Sequence, residues 1–86
     1  MNNDSIIMAI LQEQRVETAI QVQNVLTKYG CHIRVRLGLH DAAIDSCSPS
    51  GLILLQLCCE KSILQELEQD LVAIQSVKVK YMTLDF

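Results

Sequence analysis

Two segments of strictly alternating residues, each preceded by a helical pattern, limit most strongly what this chain can fold into. Residues 32–40 read HIRVRLGLH, and residues 77–84 read VKVKYMTL. A period of two residues is typical of a strand with one covered and one uncovered face. Because IRVR and VKVK occupy matching places, each after a helix and a short turn, the sequence predicts two similar halves.

Two apolar runs supply the other strands. Residues 5–11 read SIIMAIL and residues 51–59 read GLILLQLCC, with apolar side chains on both parities. Runs of this length are typical of buried central strands, and the β-branched residues of the first run add to this prediction.

Two helices are predicted from apolar residues that recur every three or four positions. In the first helix, over residues 15–29, these are Val16, Ala19, Ile20, Val22, Val25, Leu26 and Tyr29. We expect Gly30 to end this helix in the left-handed conformation. Ser62 is the expected N-cap of the second helix, whose apolar stripe comprises Ile63, Leu64, Leu67, Leu71 and Ile74.

The order strand, helix, strand, strand, helix, strand predicts an α+β, ferredoxin-like βαββαβ fold. Right-handed crossovers then give an antiparallel four-stranded sheet in the order 4-1-3-2, with both helices on one face. The 86 residues are expected to form one domain, 1–86, with residues 1–4 as a flexible N-terminus.

The alternation also predicts which side chains the helices cover. The covered set is expected to be Ile33, Val35, Leu37, Leu39, Val77, Val79 and Tyr81. The basic residues would then project from the uncovered face, along the two edges of an aliphatic centre: His32, Arg34, Arg36, His40, Lys78 and Lys80.

An aliphatic centre exposed to water is unfavourable, since each exposed Leu or Ile forgoes about 1.5–3 kcal/mol of burial. We therefore expect a homodimer or homotetramer that assembles through the sheet. The alternative is a solvated face on which arginine and lysine stems shield the apolar centre. Gly38 indicates either a bulge or a small anion-accepting pocket. The predicted interface or ligand residues are Arg34, Arg36, Gly38 and His40.

Composition argues against several classes of partner. The net charge of -3 does not favour nucleic acid. The sequence has no apolar run long enough to span a membrane, and its start, MNNDS, does not resemble a secretory signal. The expected location is cytoplasmic, with the four cysteines as reduced thiols.

Histidine and cysteine side chains raise the question of a metal site. His40 and Cys47 are seven residues apart and could bind nickel, zinc or iron at a subunit interface. Under the alternative, Cys31, Cys58 and Cys59 are simply small buried hydrophobic residues. There is no glycine-rich phosphate loop and no recognisable catalytic motif, so we expect no enzymatic activity.

Residues 5–84 resemble the small proteins described as iron-only hydrogenase system regulators. The similarity is carried by RVETAIQVQNVLTKYG, IRVRLGL, SPSGLILLQL and LVAIQSVKVKYMTL, and most clearly by Arg36, Gly38, Leu39 and the VKVK ending. These proteins are ferredoxin-like and akin to ACT domains and to the ligand-sensing domain of nickel-responsive repressors. The resemblance implies a non-catalytic, oligomeric regulatory or sensor domain that regulates transcription or a hydrogenase system. If it regulates transcription, we expect it to act through a DNA-binding or other partner protein. A metal-dependent sensor and a purely structural assembly module are the other hypotheses.

Overall fold

The computed structural model describes residues 4–40 and 50–86 and contains four strands and two α-helices within them. The chain runs through β1 (Asp4–Gln12), α1 (Arg15–Lys28), a 3₁₀ turn (Gly30–His32), β2 (Ile33–His40), β3 (Gly51–Cys59), α2 (Lys61–Val72) and β4 (Val77–Leu84). All strand pairs are antiparallel, in the order β2-β3-β1-β4. This is the predicted order read from the opposite edge, so the ferredoxin-like fold is confirmed.

The core lies between one face of the sheet and the two helices. Alternate residues of the two central strands enter it, and Ile6 is paired with Leu57 and Met8 with Leu55 across the β1–β3 ladder. The opposite parity of both strands is only half-buried. The core residues are Ile6, Met8, Ile10, Val22, Leu26, Tyr29, Ile53, Leu55, Leu57, Cys59, Leu64, Leu67, Leu71, Ile74 and Val77.

The predicted apolar stripe of α1 is confirmed in its second half, where Val22, Leu26 and Tyr29 are buried, and is wrong in its first half. Val16 and Ile20, expected in the core, are 73% and 76% exposed, whereas Thr18 is buried. The Gln12 side-chain amide donates to the Thr18 hydroxyl at 3.2 Å inside the protein. Burial of this polar pair on the sheet side leaves the Val16–Ile20 stripe facing solvent.

The predicted helix ends also need correction. Gly30 does not have a positive φ; α1 ends at Lys28 and the chain continues into the 3₁₀ turn. The helix α2 is capped by the extended residue Glu60 without a side-chain hydrogen bond. Ser62 is therefore the second residue of the helix and not its cap. The predicted stripe of α2 is confirmed, with Ile63 half-buried at its margin.

At the N-terminus the strand begins earlier than expected, because Asp4 already belongs to β1. Neither helix in the two described ranges is long and apolar enough to span a membrane.

Candidate functional site

A β-bulge at the start of β2 decides which side chains occupy each face of the sheet. Ile33 is opposite Leu57, and Val35 is opposite the adjacent residue Gln56. Two steps along β2 thus correspond to one step along β3, which leaves Arg34 as the extra residue. Because directly opposed residues of an antiparallel pair project to the same face, the parity of β2 reverses after Arg34.

The reversal makes the predicted orientation of β2 wrong from Val35 onward. Arg36 is opposite the buried Leu55 and therefore lies on the helix side, as does Gly38, which is opposite Ile53. Val35, Leu37 and Leu39, predicted to be covered, instead lie on the uncovered face, where they are 52%, 51% and 42% exposed.

The remaining predicted site residues have different positions. Arg34 is exposed at the bulge, and His32 lies in the 3₁₀ turn before the strand. His40 is the last residue of β2 and is in register with Gly51. Gly38 is not required by packing, since a Cβ at this position would have no atom within 4 Å.

The second alternating segment has the predicted orientation, although Tyr81, expected to be covered, is 40% exposed. In β4, Val77, Val79 and Tyr81 are opposite Gln12, Ile10 and Met8, all of which face the helices. Lys78 and Lys80 project to the uncovered side and are exposed. The two basic segments therefore direct their charges to opposite faces of one sheet.

The uncovered side of the sheet, which we name the open face, is consequently more apolar than expected. It carries no arginine opposite a β3 residue and has lysines only along the β4 edge. Two polar side chains, Gln56 and Ser5, hydrogen-bond to each other across it at 3.4 Å. Its apolar side chains are Ile7, Ala9, Leu11, Val35, Leu37, Leu39, Leu52, Leu54, Met82 and Leu84.

A cleft on the helix side, between α1 and the β2–β3 edge, receives the side chain of Arg36. Its volume is about 390 Å³. Arg15, the first residue of α1, is the second arginine in its wall. The other lining residues are Gln12, Ala19, Ile20, Val22, Gln23, Asn24 and Ile53. We name this the arginine cleft. An adjoining depression extends it along Gly38 and Gly51.

The Arg15 side chain reaches the cleft by crossing the start of β3. A Cβ placed on Gly51 would lie 2.6 Å from Arg15 Cδ, so a glycine there makes room for the arginine stem. The Nε of Arg15 is buried and has no hydrogen-bond partner. Leaving a buried donor unsatisfied costs about 1–3 kcal/mol.

Sequence reasoning did not identify Arg15. The helical spacing nevertheless places Arg15 on the core-facing side of α1. Positions 15, 18, 22 and 26 lie on one side of a helix, and the last three are buried. The apolar residues of the first half of α1, Val16, Ala19 and Ile20, are exposed, so a prediction from apolar spacing alone leaves Arg15 out of the core-facing side.

The predicted burial of the cysteines is only partly confirmed. Cys31 is exposed, which corrects its assignment as a buried hydrophobic residue, while Cys58 is half-buried and Cys59 is in the core. Cys47 lies outside the described residues, so the His40–Cys47 metal site stays a prediction. Within residues 4–40 and 50–86, no three His, Cys, Asp or Glu side chains are grouped to hold a metal.

The far ends of the two helices are joined by a polar cluster. The Tyr29 hydroxyl donates to Asp70 Oδ2 at 2.7 Å, and Lys28 Nζ lies 3.2 Å from the same oxygen. Burial first, and then this hydrogen bond, raises the pKa of Tyr29. The hydrogen bond from Tyr29, followed by that from Lys28, lowers the pKa of Asp70. The cluster fixes α1 against α2 at the opposite end of α1 from Arg15.

Comparison with known proteins supports the fold. No family model matches the chain, and no curated protein matches it. An uncharacterized protein from Thermotoga maritima is 24% identical, with a TM-score of 0.86 over 98% of this chain and 100% of its own. A functionally unknown protein from Pediococcus pentosaceus is 12% identical, with a TM-score of 0.60 over 100% of this chain and 96% of its own.

A third solved structure is CPII from Thiomonas intermedia, bound to ADP, AMP and acetate. It is 12% identical and covers 99% of this chain and 91% of its own, with a TM-score of 0.48. That score is too low to support an argument. The first two likenesses show a shared fold, and the resemblance to the hydrogenase system regulators stays a prediction.

Proposed function

We propose that this protein is a non-catalytic regulatory domain that works as a homodimer, with a second copy of the chain covering the open face. The continuous apolar surface of that face supports the proposal: ten apolar side chains occupy it, and the three from β2 are 42–52% exposed. Apolar patches larger than a few hundred Å² are rare on monomers and mark interaction sites.

The size of the open face suits a dimer. Four strands about 4.8 Å apart and eight residues long span a plane of about 500 Å². Each partner would bury at least that area, because the side chains make the surface uneven. The total of roughly 1,000 Å² or more reaches the lower range of specific interfaces.

The charge pattern favours a second copy over an unrelated partner. Lys78 and Lys80 occupy one edge of the open face, and Val35, Leu37 and Leu39 occupy the other. A two-fold axis parallel to the strands sets the lysine edge of each copy over the apolar β2 edge of the other. The lysine stems then pack on the aliphatic side chains while their ammonium groups reach water.

The regulatory part of the proposal rests on the resemblance of the sequence to hydrogenase system regulators. In that role the dimer acts in the cytoplasm, catalyses no reaction and exerts its effect through a partner protein that supplies the DNA-binding surface. The net charge of -3 is consistent with this division, since direct binding to phosphates requires a basic surface.

A pair of matched substitutions tests the dimer. Leu37 on the open face and Val72 on α2 are 51% and 50% exposed, so Leu37→Glu and Val72→Glu add the same charge at equal exposure. We expect the unmodified protein and Val72→Glu to sediment as dimers at micromolar concentration and Leu37→Glu to sediment as a monomer. A monomeric unmodified protein, or dimers of both variants with equal affinity, would contradict the proposal.

A further inference from the structure

We propose that the arginine cleft binds a small organic anion, which offers a carboxylate or phosphate group to Arg15 and Arg36 and an apolar body to the wall of α1. The cleft lies on the helix side of the sheet, so the inference does not depend on dimerisation through the open face.

Neither guanidinium group of the cleft has an ion-pair partner among residues 4–40 and 50–86. The ion pairs in those ranges are Lys28–Asp70 and Lys78–Glu13. The Nε of Arg15 is buried without a hydrogen-bond partner, so a ligand in the cleft would contact the outer nitrogens of this guanidinium. A planar guanidinium presents a fork of donors that fits carboxylate and phosphate oxygens in a bidentate manner. One anion would then engage Arg15 and Arg36 at the same time.

The shape and lining of the cleft suit a small organic molecule. Its volume of about 390 Å³ falls within the range of small-molecule sites. Ala19 and Ile20 of α1 and Ile53 of β3 supply an apolar wall, and Gln23 and Asn24 add amide groups. Ile20 is 76% exposed although it borders the cleft. An apolar body bound against it would cover a side chain that the fold leaves in water.

The start of β3 leaves space for the Arg15 stem. Gly51 is buried on the helix side, and Cδ of Arg15 lies 2.6 Å from the place that a Cβ of residue 51 would occupy. The stem thus packs against the backbone of Gly51, and a side chain that is already packed loses less conformational freedom on binding.

The test uses phenyl phosphate, benzoate and inorganic phosphate as probes, titrated into the full chain and followed by amide NMR shifts. We expect saturable binding of at least one aromatic probe below about 10 mM, and about tenfold weaker binding of inorganic phosphate. The shifted amides should include those of Ile20 and Gln23. Preference between the two aromatic probes identifies the ligand as a phosphate or a carboxylate.

The matched variants are Arg36→Gln and Arg34→Gln, which remove the same charge from the same strand two residues apart. Arg36→Gln should weaken the aromatic probe about tenfold, whereas Arg34→Gln should leave its affinity within about twofold. Both sites are exposed, so both variants should fold, which circular dichroism checks. Absence of saturable binding, or equal loss in both variants, overturns the inference. Binding by a monomeric protein would contradict the proposed dimer and leave this site supported.

Discussion

The two edge strands β2 and β4 have nearly the same sequence pattern and opposite orientations. IRVR at 33–36 and VKVK at 77–80 both alternate a β-branched residue with a cation. In β4 the alternation is regular and the cations face away from the helices. In β2 the extra residue Arg34 shifts the register, so Arg36 faces the helices and Leu37 faces away. One unpaired residue reverses every side chain that follows it.

The bulge therefore gives the two faces of the sheet different chemical properties. It removes an arginine from the open face and places that arginine in a cleft beside α1. The apolar surface that remains on the open face is the basis of the proposed dimer. Without the bulge, the open face would be basic along both edges and the cleft would contain one arginine.

The largest expected effect comes from placing the same carboxylate at matching positions of the two strands. Val79 packs against the core, so Val79→Glu should lower the free energy of unfolding by about 3 kcal/mol. Val35 is 52% exposed, and Val35→Glu should cost the monomer less than about 1 kcal/mol. Urea unfolding at low protein concentration measures both. Equal losses would mean that the two strands are oriented alike.

Deleting Arg34 sharpens the comparison at the bulge itself. Removing the extra residue should join Ile33 and Val35 in a regular ladder and leave the later pairs unchanged, at a cost of about 1 kcal/mol. Arg34→Ala controls for loss of the side chain. If β2 alternated regularly from Ile33, the deletion would reverse every later side chain and cost as much as Val79→Glu; unfolding by urea distinguishes the two results.

The contact between Tyr29 and Asp70 joins α1 to α2, and α2 packs beside β4. A substitution at Tyr29 therefore destabilises this side of the fold without changing the bulge in β2. Tyr29→Phe should cost about 1 kcal/mol, with Lys61→Ala as an exposed control. The pKa of Asp70 is lowered in the folded state. Its contribution is therefore present above the ordinary value of about 3.9 and is lost as pH falls through the lowered pKa.

The raised pKa of Tyr29 acts at the other end of the pH range. Its contribution is present below the ordinary value of about 10 and is lost as pH rises through the raised pKa. Unfolding free energies measured across both windows should converge for the unmodified protein and Tyr29→Phe at the extremes. A constant difference at every pH would show that the contribution of Tyr29 is not linked to the titration of Asp70 or of Tyr29 itself.

The smallest expected changes in stability come from substitutions in the turns that precede β4 and β2. The chain enters β4 through Ser76, which has a φ of 69°, the one positive value among the non-glycine residues described. The left-handed conformation is unfavourable for a residue with a Cβ, and glycine relieves it at the expense of greater freedom in the unfolded chain. Ser76→Gly should therefore stabilise the protein by about 0.5 kcal/mol, whereas Gly30→Ala in the turn before β2 should not destabilise it. Thermal unfolding of both variants checks this difference.

Much of the fold is predicted by local patterns in the sequence. The apolar runs of β1 and β3, the stripe of α2 and the alternation of β4 each predict an element that the structure contains. The strand order follows from the connection rules. The orientation of the β2 side chains cannot be predicted in this way. The bulge depends on how Ile33 and Val35 pair with Leu57 and Gln56, which are more than twenty residues away in the chain.

The arginine cleft was missed for a related reason. Arg36 was singled out by its position in the alternating strand, but its assignment to the wrong face separated it from α1. Apolar spacing does not identify Arg15, because Val16 and Ile20 beside it are apolar and yet exposed, whereas the polar Thr18 is buried. Thr18 accepts a buried hydrogen bond from Gln12, and apolar spacing carries no information about such a bond.

A methyl NOESY spectrum tests the bulge most directly. If Arg34 is the extra residue, Leu37 methyl groups should show cross-peaks to Leu54, and the Arg36 side chain should show cross-peaks to Leu55 methyl groups. Cross-peaks from Leu37 to Ile53, with Arg36 instead beside Leu54, would place the arginine on the open face and contradict the account.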